Sequence, residues 1–226
     1  MKKLLNFAFV GLLAVLAAHI LPEIQALSGL VDQDVALAVF ASFGVLRNID
    51  EQVANPAGIR RIGVIAVKDL LPEVIDWPKA VGTAPDFDKE TMQITTALPV
   101  AVGKLVAVIT PADNSAFYSF ESQGDRFYGS YKHAMGFDIA GLTKVQSAEL
   151  RKYLNTGVIF FVESNDGDIR VIGSKLSPIV LKMKGDSGKK GGDKRGYALT
   201  GDNDNFVTEP PFYPDTLALP GMLSEA

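Results

Sequence analysis

Apolar and polar positions follow two regimes along this chain. From Leu4 to Ala18 the residues are apolar with Asn6 as the polar interruption, and a second apolar stretch covers Val35 to Leu46 (VALAVFASFGVL). From Arg47 onward, short runs of β-branched and aromatic residues are separated by Gly, Pro, Asn and Asp, the pattern of strands and turns. The runs predict strands at Gly58 to Lys68, Met92 to Thr96, Lys104 to Thr110, Ala116 to Ser122 and Arg126 to Phe137. Further strands are predicted at Val158 to Glu163, Ile169 to Gly173, Ile179 to Met183 and Tyr197 to Thr200. The expected fold is mainly β, a sandwich or small barrel.

One helix is expected within this rhythm. Leu142 to Leu154 places Leu142, Val145, Leu150 and Leu154 partly in helical phase, with Thr143 and Ser147 available as caps. The sharpest local signal follows it: Asn165-Asp166-Gly167 between VIFFVES and IRVIG predicts a tight hairpin. Prolines at 72, 78, 85 and 99 interrupt any regular element between Leu71 and Leu98, so that stretch is expected to be a surface arm or long loop. The C-terminal residues EPPFYPDTLALPGMLSEA exclude a long helix. They are read as an extended tail, with Phe212, Tyr213, Leu217 and Leu219 as candidate contacts to an adjacent copy.

The chain thus divides into an apolar helical segment, 1–46, a β-rich assembly domain, 47–208, and the tail, 209–226. Three readings of the first segment stay open. Lys2 and Lys3 before an apolar run, with Ala17 and Ala18 near its end, fit a signal peptide. As a membrane anchor, Leu4 to Leu21 would span about 27 Å as a helix, just short of the usual hydrocarbon core. The third reading is a helix buried against the rest of the protein or a neighbouring subunit; with Val35 to Leu46, which Asp32 or Asp34 could cap, it would form a helical hairpin joined at Ser28-Gly29, unless that second stretch is simply core.

Composition narrows the chemistry. Cysteine is absent and His19 and His133 are the two histidines among 226 residues, which excludes thiolate metal sites, disulfides and Cys–His catalysis. The formal net charge of −4 provides no global attraction for nucleic acid. No Gly-x-Ser-x-Gly elbow occurs, and no pair of carboxylates is marked out by spacing. His133 is read as a packed or surface histidine. Neither a cofactor, a metal site nor an enzymatic activity is expected.

One stretch is locally basic. In KMKGDSGKKGGDKRGYALTG, from Lys182 to Gly201, the cations Lys184, Lys189, Lys190, Lys194 and Arg195 are interleaved with glycines. The spacing fails the phosphate-binding P-loop, because Gly185 precedes Gly188 too closely and Lys190 follows Lys189. The remaining readings are a solvated loop, a contact with an acidic face of another subunit, or a surface lining a lumen. Asp202-Asn203-Asp204-Asn205 offers oxygen ligands, but Phe206 stands where a calcium loop needs its next one, so a polar turn is expected. Glu163, Asp166 and Asp168 are assigned to the hairpin turn in the same way.

Phe120 to Leu142 and Val171 to Gly201 together resemble structural proteins of tailed phages, especially those infecting Bacteroidetes-type hosts. The resemblance lies in an order of parts: a Val-Ile-Gly strand, a proline-containing strand, a Gly/Lys-rich loop and a Gly-Tyr-x-x-Thr strand. It covers roughly Gly58 to Phe212 and implies a tail-tube-type protein whose copies join edge to edge into rings that stack as a tube. It implies no catalytic residues. The partners implied are copies of the chain, other virion proteins and DNA passing through a lumen without sequence-specific binding, with the virion as the location. The apolar leader departs from that pattern and keeps open an exported or membrane-anchored binding domain of a bacterial envelope, with membrane contact through residues 1–46.

Overall fold

The computed structural model describes residues 57–80, 85–88, 90–125 and 129–222, all within the unit Asn55–Ala226. The apolar segment 1–46 lies outside the described residues, as do Arg126 to Tyr128. The fold is mainly β, as the alternation of strand and turn signals required, with two antiparallel sheets. In chain order the strands are β1 (Ile59–Ala66), β2 (Ala107–Ile109), β3 (Phe117–Gln123) and β4 (Ser130–Ala140), then the helix α1 (Lys144–Leu150). After it come β5 (Gly157–Ser164), β6 (Ile169–Ile172), β7 (Ile179–Val180), β8 (Lys182–Asp186), β9 (Gly196–Phe206) and β10 (Phe212–Tyr213).

The first sheet has the order β10-β6-β5-β1-β2, with β7 also paired to β5, and the second has the order β3-β4-β9-β8. The near-continuous apolar run Val158 to Val162 explains why β5 is central: both of its faces are buried. Val158, Phe160 and Val162 join Ile62, Val64 and Ile172 in a cluster with Met135, Phe137 and Leu199 from the second sheet. Ile159 and Phe161 point the other way and pack with Trp77, Phe87, Ile94, Leu98, Tyr213 and Leu219. The first sheet is therefore covered by the second sheet on one face and by the proline-rich stretch and the C-terminal residues on the other.

That layering changes two expectations. The stretch from Leu71 to Leu98 is irregular, but Trp77, Phe87, Ile94 and Leu98 are interior, Trp77 being 2% exposed and Ile94 1%. Lys175 anchors it, its ammonium donating to the carbonyls of Leu71 and Val74. Met92 to Thr96 is not a strand, because its backbone closes the edge of β10 through single bonds, Ile94 N–H to Phe212 O (2.8 Å) and Phe212 N–H to Met92 O (2.7 Å).

The Asn-Asp-Gly hairpin is present, with Ser164 N–H donating to Asp168 O at 2.9 Å and Gly167 at φ +95°. Glu163 does not belong to its turn: it lies on β5, 5% exposed, and accepts from Arg61 Nε at 2.6 Å. The helix begins where expected, Thr143 and Gln146 forming a capping box. The run Ile179 to Met183 divides at buried Leu181, because the chain leaves β5 in one sheet and joins β9 in the other. Gly201 permits this crossing, since a Cβ there would lie 2.6 Å from Ile179 Cγ2 and 2.9 Å from Val180 O.

Asp202 to Asn205 is strand rather than turn. β9 continues to Phe206 because the Asp202 charge is met across the sheet by Lys132 Nζ at 2.8 Å and, more loosely, by Lys182 Nζ at 3.7 Å. Lys132 holds the Asp202 carboxyl below its ordinary range, and Asp202 in turn raises the Lys132 ammonium.

Candidate functional site

The five basic candidates belong to the β8–β9 hairpin. Lys184 is on β8, and Lys189, Lys190, Lys194 and Arg195 are on the exposed loop that joins it to β9. The loop is shaped by its own carboxylates: Asp193 Oδ2 accepts from the N–H groups of Lys189 (2.8 Å) and Lys190 (2.9 Å), and Asp186 Oδ1 accepts from Gly188 N–H at 2.9 Å. Successive backbone N–H groups of this kind attract anions. Here Asp193 occupies them, a physical reason, beyond the failed spacing, why the loop is not a phosphate cradle.

Three of the five cations are brought together. Lys184, Lys194 and Arg195 line a cavity of about 390 Å³ with Asp113, Asp138 and Asp186, while Lys189 and Lys190 stay at the loop tip. Equal numbers of fixed charges of each sign give this cavity no strong preference for anions.

The tail candidates are drawn into their own chain. Tyr213 is 3% exposed and Leu219 2%, and the Tyr213 hydroxyl donates to Ala218 O at 2.9 Å. Phe212 stacks under the Arg170 guanidinium, 3.9 Å from the ring centroid, and Leu217 packs partly buried on the same cluster. Tyr213 and Leu219 are thus corrected from contacts with a neighbouring copy to core residues. The gain from burying a large apolar side chain is realised within the chain, because the apolar face of the first sheet was already there to receive them.

A larger cleft, about 580 Å³, opens where the proline-rich stretch, the turn after β6 and the end of β9 meet. His133 lies in its wall. The ring is 2% exposed, stacks on Phe206 with centroids 3.8 Å apart and pairs through Nε2 with Thr208 O at 2.9 Å. Since that carbonyl can only accept, Nε2 carries the proton and Nδ1 is left as an acceptor, without a partner among the described residues. Burial pushes the pKa down to about 4, outweighing the opposing effect of the Thr208 bond. His133 is thus a packed, neutral histidine.

Sequence reasoning missed the cleft. Its rim includes Glu73, Ile75, Asp76, Leu176 and Val207, which fall in irregular segments far apart in the chain, so no periodicity or spacing joined them. Among the described residues no group of three His, Asp or Glu is placed to hold a metal ion, and no helix is long and apolar enough to cross a membrane. No protein-family model, curated protein or solved structure matches the chain.

Proposed function

We propose that this chain is a non-enzymatic structural protein that assembles with its own copies into a ring or tube, as a tail-tube-type virion component. In this reading the two sheets form a β-sandwich whose open edge makes the contact. The observation that carries it is β3. Its seven residues, FYSFESQ, have β4 as their one strand neighbour among the described residues, and Phe117 and Phe120 are 53% and 40% exposed. The edges of the first sheet are guarded by their shortness, β2 and β10 having three and two residues, whereas β8, the other edge of the second sheet, has five. Because the second sheet has four strands in alternating directions, β8 of a neighbouring copy set beside β3 would continue the antiparallel pattern. A head-to-tail contact of this kind closes into a ring or extends as a filament.

Electron microscopy and light scattering of the full chain test this. Rings or tubes are expected, and Ser119→Lys with Phe117→Lys on β3 should reduce them to monomers. A monodisperse monomer of the unaltered chain at high concentration would sink the proposal. The alternative, an exported or membrane-anchored envelope binding domain, draws on the cleft beside His133. Intact-mass measurement separates the two: loss of the first twenty or so residues favours export, and retention of Met1 favours assembly or anchoring.

A further inference from the structure

We propose that the cleft beside His133 is a binding site for a small cationic amphiphile, an apolar body carrying a protonated amine. The inference does not depend on the assembly reading.

The cleft has the size of small-molecule sites and their character, an apolar lining with a few polar groups. Its walls are tied together. Lys175 N–H donates to Trp77 O at 2.9 Å, Leu176 N–H donates to Asp76 Oδ1 at 3.0 Å, and the Lys175 ammonium grips the carbonyls of Leu71 and Val74. The turn after β6 and the opposing stretch are thus held at a set separation without a ligand, which lowers the ordering cost of binding.

Three large apolar side chains converge on this cleft while facing water: Ile75 at 81% exposure, Leu176 at 66% and Val207 at 60%. A ligand covering them gains the apolar contact that folding left unused.

Charge selects the head group. Glu73 and Asp76 flank Ile75 in the chain and both line the cleft, Asp76 against Leu176. Glu73 has no hydrogen-bonding or ion-pair partner among the described residues, so its carboxylate is free to meet a cation. Lys175, in the turn after β6, has its ammonium turned onto backbone carbonyls, and His133 is neutral. Lys79 is the one lysine or arginine among the lining residues, against the two carboxylates of Glu73 and Asp76, so the fixed charge of the lining favours a cation.

The test uses the full chain and three probes of one length, hexylammonium, hexanol and hexanoate, titrated by calorimetry. Trp77 is the one tryptophan of the chain, and its neighbours Asp76 and Pro78 line the cleft, so its emission gives a second readout. The expected order is hexylammonium tightest, hexanol weaker and hexanoate weakest. Glu73→Gln should weaken hexylammonium by about threefold to fivefold, the scale of an exposed charge pair, and leave hexanol unchanged. Val207→Ser should weaken both. Glu73 and Val207 are exposed, so both variants should keep the parent melting temperature. Absence of saturable binding, equal affinity for hexylammonium and hexanoate, or indifference to Glu73→Gln would each overturn the proposal.

Discussion

Acid should weaken this fold through His133 before it protonates most of the carboxylates. The imidazole has an ordinary pKa of 6.5, pushed down to about 4 by burial. Between those values the unfolded chain binds a proton that the folded chain refuses, so stability falls as pH falls. The contribution is intact above pH 6.5, declines by up to about 1.4 kcal/mol per pH unit below it, and is gone by pH 4, a total of about 3 kcal/mol. The physical cost is a cation formed between Phe206 and the Thr208 carbonyl, with an Nδ1–H that has no acceptor among the described residues. Urea unfolding at several pH values, for the parent and for His133→Gln, isolates this term because both chains share every carboxylate. The stability difference between them should shrink toward acid by most of those 3 kcal/mol. Proton NMR gives an independent check, because the chain has two histidines. A difference that stays flat from pH 7 to 4.5, or a His133 ring signal that titrates near 6.5, would refute the reasoning.

Other expectations are simpler. Phe161→Ala empties a 0% exposed position in contact with Trp77 and Tyr213, and should cost about 3–5 kcal/mol in denaturant unfolding. Gly201→Val should cost at least about 1–3 kcal/mol by the same measurement, because its branched side chain meets the Val180 carbonyl and the Ile179 side chain; parent-like stability would show that β7 does not pass where we place it. Arg61→Ala leaves buried Glu163 with the looser Arg60 contact at 3.5 Å and should cost about 1–3 kcal/mol in denaturant unfolding. Lys189→Ala with Lys190→Ala should change stability by less than about 0.5 kcal/mol, since both side chains are exposed and the loop is held by backbone bonds to Asp193.

The elements that were legible from the sequence are those whose causes are local. The Asn165-Asp166-Gly167 turn needs only residues that accept its backbone geometry, and the capping box needs only Thr143 and Gln146 three positions apart. The run Val158 to Glu163 announced a strand, and the fold shows both of its faces buried. Exclusions by inventory were equally local, since a chain without cysteine cannot build a thiolate site.

What the tertiary structure decided depends on partners distant in sequence. Met92 to Thr96 has strand-forming residues, yet it only closes the edge of β10 through single backbone bonds to Phe212, a partner distant in sequence. Asp202 to Asn205 has turn-forming residues, yet it is strand, because Lys132 and Lys182 meet its charge from neighbouring strands. The C-terminal residues show apolar side chains whose destination their own pattern could not name. They fold back because the outward face of the first sheet, with Ile159 and Phe161, has to be covered. The cleft beside His133 depends wholly on such meetings: it is built by residues from 73 to 211 that share no pattern along the chain and become neighbours only when both sheets and their covering segments are in place.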